Sequence, residues 1–246
     1  NYSNQFVKYY LDNSLFNSEE IKQAYKNKII LRDNQSLLFL QENLDILFPK
    51  DQIFNFDLFD SGANPISSAG GFKVVNMRNQ QISENAIDSL NYGNTHEFIH
   101  VFFYGTPVKK SWFEEGLANY MEYVQQKSFS NLWCREDGWI NGYYEENNFI
   151  NTTSLVKYSN FSAQMENDPE YNPQTQSNHY KSAACFWKYI NDSYGADAIK
   201  NIAQAWQDTR RILPPQEKWL IKDIINPALN ANLSTLIKER YSYIEE

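Results

Sequence analysis

The sequence predicts an α+β fold, with a small mixed β-sheet in the first third and a mainly helical remainder. Three observations carry that expectation. Residues 52–58 alternate apolar and polar side chains, the period of a half-buried strand. Leu37, Leu38, Leu40, Leu44 and Leu47 recur at helical spacing. After about Asn85 the chain reads as successive amphipathic helices punctuated by Gly and Pro. The expected division is an α/β part over residues 1–84 and a mainly helical part over 85–246, together forming one continuous domain.

Taken in order, residues 1–17 show no clear period and read as an irregular lead-in. Ser18-Glu19-Glu20 starts a helix expected to reach about Asn27, and Lys28-Ile29-Ile30-Leu31 is a short strand candidate. Asp33 or Asn34 then caps the leucine-bearing helix, which Pro49 ends. A turn-rich stretch, 60–65, separates the alternating strand from a second one expected over 70–75. One long helix over about 86–104 is expected to end at Gly105-Thr106-Pro107. Ser111 and Glu114 have capping-box spacing and open a helix to about Gln126. Residues 128–178 are rich in Asn, Tyr and Ser and read as a functional loop with a short helix near 153–158. Further helices are expected from Asn178 or His179 to Tyr194, over 196–208, over 217–225 and over 234–243.

Bulk properties narrow the partners. The formal net charge is −8 without a basic stripe, which argues against nucleic acid and against an anionic membrane surface. No apolar run is long enough to span a bilayer. The chain begins at Asn1, which fits a processed product and an extracytoplasmic or secreted location once a signal or anchor has been removed. Cys134 and Cys185 form one disulfide or none; the sequence leaves both open.

The chemistry concentrates between Thr95 and Glu122. His96-Glu97-Phe98-Ile99-His100 is an H-E-x-x-H pattern, and residues four apart share a helix face, so both imidazoles can reach one ion. With only three histidines in the chain, random placement yields this pattern in about one of several hundred such sequences. Zinc bound by two imidazoles needs a third protein ligand and an open fourth position to activate water. Glu114 and Glu115 are both available, pointing about 100° apart on a helix. Glu114 suits the capping box with Ser111, so the two neighbours can divide the roles of cap and metal ligand between them. Glu97 follows a ligand directly and suits a general base that later returns the proton to a leaving amine.

These residues resemble the gluzincin signature. His96-Glu97-x-x-His100, followed by Trp112-Phe113-Glu114-Glu115-Gly116-Leu117-Ala118-Asn119-Tyr120, is similar to the bacterial peptidase MA-like proteins, which read H-E-x-x-H and then W-F-x-E-G-L-A-x-Y. The membrane alanyl aminopeptidases carry a similar W-L-N-E-G-F-A. The resemblance implies a zincin-like fold, one Zn2+ per chain held by His96, His100 and Glu115 between the two halves, and Glu97 as catalytic base. Weaker matches follow at Tyr180-Lys181-Ser182-Ala183-Ala184. In aminopeptidases a Tyr heading a similar segment donates a hydrogen bond to the oxyanion, which implies that role for Tyr180, with His179 as its neighbour and alternative.

Two positions depart from the pattern. The G-A-M-E-N segment that binds a free amino terminus is replaced by Ser68-Ala69-Gly70-Gly71-Phe72, so the resemblance does not extend to exopeptidase action. Asn119 stands where thermolysin-like proteins carry an Asp that orients a zinc imidazole. The expected function is hydrolysis of peptide bonds in a peptide or protein substrate. The alternative is a non-catalytic, metal-containing binding or scaffold protein on the same fold. Residues 70–75 serve either as a cleft strand that a peptide extends or as an interior strand.

Overall fold

The computed structural model of the chain describes residues 2–3, 7–46, 54–60, 66–70, 73–78, 80–104, 106, 111–127, 133–134, 142–145, 148–151, 173–211 and 220–241. The fold is α+β. Two compact units form, one from Asn1–Glu42 and Leu47–Tyr104, the other from Asn43–Ile46 and Gly105–Glu246.

The first unit holds a five-stranded mixed sheet. In sequence order its strands are β1 (Tyr2–Ser3), β2 (Val7–Leu11), β3 (Phe54–Asp60), β4 (Ile66–Gly70) and β5 (Lys73–Arg78), and in space they run β1-β2-β3-β5-β4. The central three are parallel, with Tyr9 opposite Phe56 and Phe56 opposite Val74, while β1 and β4 flank them antiparallel. Strand β2 corrects the expectation of an irregular lead-in. Val7 and Tyr9 alternate into the core while Lys8 and Tyr10 face out, so a period of two was present over only five residues. The strand expected over 70–75 is instead a hairpin, in which Gly70 at the end of β4 pairs with Lys73 at the start of β5.

One continuous helix, α1 (Glu19–Leu44), replaces the predicted helix, strand and second helix. No Gly or Pro interrupts these residues. Of the apolar run at 28–31 only Ile29 is buried, and Leu31 is exposed, which suits one stripe of a helix rather than a buried strand. The buried stripe holds Tyr25, Ile29, Asp33, Ser36, Leu37, Leu40 and Leu44, each three or four residues from another member. Two polar residues inside that stripe mimic a break. Asp33 is therefore a mid-helix core residue and not a cap.

The long helix expected over 86–104 divides into α2 (Glu84–Asp88), capped by Ser83, and α3 (Thr95–Phe103). The break passes through Gly93, where an added Cβ would lie 2.6 Å from the Arg32 carbonyl group and from Asp33 Oδ1. Only glycine allows the loop to approach α1 that closely. Helix α3 packs against β4 and β5. It buries Phe98, Ile99, Val101, Phe102 and Phe103, while His96, His100 and Tyr104 line its more open side, four residues apart.

The second unit is built around α4 (Ser111–Gln126), α5 (Pro173–Tyr194) and α6 (Ala196–Asp208). Helices α4 and α6 match their predicted bounds; α5 starts earlier than expected, at Pro173. Phe113, Phe186, Trp187 and Trp206 form its buried aromatic centre, with the Phe113 ring 4.7 Å from Trp187 and 4.9 Å from Trp206. The Trp187 indole donates to the Phe113 carbonyl at 3.0 Å, so the polar edge of the largest buried ring is satisfied. A short antiparallel sheet of β6 (Trp133–Cys134), β7 (Gly142–Glu145) and β8 (Asn148–Asn151) corrects part of the stretch read as a loop. Cys134 on β6 is disulfide-bonded to Cys185 on α5, which resolves the open pairing. The short helix expected near 153–158 lies outside the described residues. A π-helical turn, Leu220–Ile225, then α7 (Asn226–Leu229) and α8 (Ser234–Tyr241) complete the unit. Among the described residues no helix is long and apolar enough to cross a membrane.

Candidate metal centre

His96 and His100 occupy the second and sixth positions of α3, so one helical turn separates them and their rings meet on its open side. Their Nε2 atoms stand 3.3 Å apart, and the rings cross at 67°. Two Zn–N bonds of ~2.0–2.1 Å at a tetrahedral angle place the nitrogens ~3.3 Å apart, so this pair already has the spacing of two zinc ligands. A direct hydrogen bond at the same distance would require one Nε2 to carry a proton.

Glu115, in the first part of α4, is the third candidate donor. One ligand atom from each of His96, His100 and Glu115 lies within 4.8 Å of the others, and all three residues are half-buried. Glu115 makes other interactions, but its Oε2 atom is buried and accepts no hydrogen bond. A cation would compensate the desolvation of that oxygen. Two imidazoles and one carboxylate make up the donor set of open, three-ligand zinc sites, so the residues present fit the ion. Its identity is a matter of donor chemistry, since His and carboxylate also suit other first-row metals.

The remaining expected site residues divide as follows. Glu97 lies beside His96 on α3 and is buried. Tyr180 and His179 are positions of α5, two turns in from its start at Pro173 and not at a helix start; their side chains are outside those described. Asn119 turns its Nδ2 to the Glu115 carbonyl oxygen at 2.9 Å, a bond back along its own helix. It therefore braces the backbone of a candidate ligand and does not orient a ring.

Gly116, next to Glu115, explains part of the motif physically. A Cβ there would lie 2.6 Å from the Ala183 carbonyl oxygen and 2.9 Å from its carbon, so the residue after Glu115 must be glycine for α4 and α5 to pack this closely. Ala183 is three residues beyond Tyr180, one turn along α5.

What sequence reasoning missed is the support beneath the histidine helix. Asp33 is fully buried. Its Oδ1 accepts from the Asn94 backbone N–H and side-chain amide, both at 2.9 Å, and its Oδ2 accepts from the Tyr9 hydroxyl at 3.0 Å. Asn76 donates to the Asn94 Oδ1 at 3.2 Å, and the Thr95 hydroxyl donates to Ser36 at 2.8 Å. Burial pushes the Asp33 carboxyl up to about 7 even though the bonds from Asn94 and Tyr9 pull it down. Burial, with Asp33 nearby, also raises the Tyr9 phenol well above its usual range. The signal available in the sequence was the pair Asp33 and Ser36, two polar residues in an otherwise apolar helical stripe.

Comparison with family models, with curated proteins and with solved structures finds no match to the chain.

Proposed function

We propose that the protein is a zinc-dependent metallopeptidase of gluzincin type, hydrolysing peptide bonds in a peptide or protein substrate. The observation that carries the proposal is that ligand atoms of His96, His100 and Glu115 lie within 4.8 Å of one another, with Glu97 adjoining His96 in the chain. A bound zinc ion supplies Lewis acidity there and lowers the pKa of a coordinated water towards ~7. Glu97 accepts the proton of the attacking water and passes it to the departing amine, so that proton is neither gained nor lost over the cycle. Tyr180, from α5, donates its phenolic hydrogen bond to the carbonyl oxygen as charge develops on it. An extended substrate adds along β4. Among the described strands β4 pairs only with β5, and α3 packs beside it, whereas β5 is interior. The disulfide supports an oxidising, extracytoplasmic place of work.

The test is Glu97→Gln. Zinc content measured on the purified protein should stay at one per chain. Cleavage of a peptide library, with product ends mapped by mass spectrometry, should fall by at least about 10²-fold, the smaller end of what a general base contributes. Full activity in the variant removes Glu97 from the mechanism. Zinc at full occupancy with no cleavage by the unaltered protein favours the scaffold alternative. An unaltered protein that takes up no zinc removes the centre altogether.

A further inference from the structure

The first turn of α3 carries His96, yet the helix lacks the local device that usually holds such a turn. Asn94 is its N-cap residue and makes no side-chain hydrogen bond to the helix it caps. An Asn in that position ordinarily accepts from an amide one turn on, and losing that contact commonly weakens a helix start. Here the carboxamide is used elsewhere. Its Nδ2 donates to Asp33 Oδ1, and its Oδ1 accepts from Asn76. The Asn94 backbone N–H goes to Asp33 as well, and Thr95, the first helical residue, is tied to Ser36. Asp33 and Ser36 lie three apart on one face of α1, so a single stretch of that helix holds both residues that precede His96. Gly93 makes the approach possible.

We propose that Asp33 is a positioning residue of the metal centre: through Asn94 it holds the first turn of α3 in the form that places His96 against His100. The inference rests on the metal-binding reading of that pair. Its physical basis is pre-organisation. A turn held in place before the ion arrives need not be ordered by the ion, whereas a turn free to fray takes part of the binding free energy to order it. Asp33 is placed to act in this way because it is fully buried and both its carboxylate oxygens are engaged, Oδ1 by Asn94 and Oδ2 by Tyr9. Its effect should be on zinc affinity rather than on stability alone.

The experiment titrates zinc against a chromophoric chelator, with each protein held well below its unfolding temperature. Asp33→Ala should bind zinc about tenfold more weakly, the size of a lost helix start. Asp33→Asn, which keeps an oxygen acceptor for Asn94, should stay within about threefold of the unaltered protein. Val7→Ala, a cavity in β2 of the same unit, should lower stability and leave zinc affinity unchanged. Should Asp33→Ala fail to fold, Asn94→Ala breaks the side-chain bond from the other end, preserves the Asp33–Tyr9 pair, and should show the same loss. Unchanged affinity in the Ala variants overturns the proposal, as does an equal loss in Val7→Ala. An unaltered protein that binds no zinc overturns the metal centre itself, and this inference with it.

Discussion

Gly116 of α4 meets Ala183 of α5 backbone to backbone, and no side chain fits between them. The obstructing atoms at 2.6 and 2.9 Å are a carbonyl oxygen and its carbon, which cannot swing aside as a flexible side chain would. Replacing Gly by Ala inside a helix normally gains about 1 kcal/mol of propensity. Overpacking costs about 1–3 kcal/mol. For Gly116→Ala the clash should win, with a net loss of about 1–2 kcal/mol in urea denaturation. A more stable variant would show that the two helices part readily.

The disulfide closes a long segment between β6 and α5. With a sequence separation of 51 between Cys134 and Cys185, the loop-entropy relation gives about 4 kcal/mol. Cys134→Ser, or reduction, should lower the stability of the second unit by about that amount. Thermal melts with and without a dithiol measure it. No change would mean that the unfolded chain gains little freedom when the bridge opens.

Asp33 makes stability depend on pH in a definite direction. Its carboxyl rises from an ordinary 3.8 to about 7 in the folded protein, chiefly through burial. Between those values the folded form holds a proton that the unfolded form has lost. The stability it contributes is therefore complete below pH 4 and lost as pH rises towards 7. The full swing is about 4 kcal/mol as an upper figure. Urea midpoints should fall from pH 5 to pH 7.5 more steeply in the unaltered protein than in Asp33→Asn. Parallel slopes for the two would contradict the assignment.

Metal removal should be visible without any substrate. A ligand that binds only the folded form adds about 2.7 kcal/mol when present at a hundred times its dissociation constant. A strong chelator should thus lower the melting temperature, and zinc should restore it. His100→Ala should abolish the response, because a single imidazole and a carboxylate leave the ion without its third protein donor. An identical melting curve with and without zinc in the unaltered protein would count against the site.

Long segments with a strong period were legible. The bounds of α4 and α6 follow from their capping residues and apolar spacing alone. The candidate pair of histidines was legible too, since a four-residue spacing on one helix is a local property, and the resemblance selects Glu115 over Glu114 as its candidate partner. Short elements were not. Strand β2 shows its alternation over five residues, and β6–β8 are shorter still, so their existence depends on the partners they pair with.

Residues that break a pattern for a tertiary reason were misread. Asp33 and Ser36 look like an interruption of α1, and Asn94 looks like the interior of a longer helix. Their polar groups are satisfied by partners 18 to 61 residues away, and no local period encodes such bonds. The order of residues is enough to specify which side chains could hold an ion, because spacing on a helix is set by backbone geometry. Where that helix begins, and what holds it there, is set by buried hydrogen bonds that exist only once the sheet, α1 and α3 have come together.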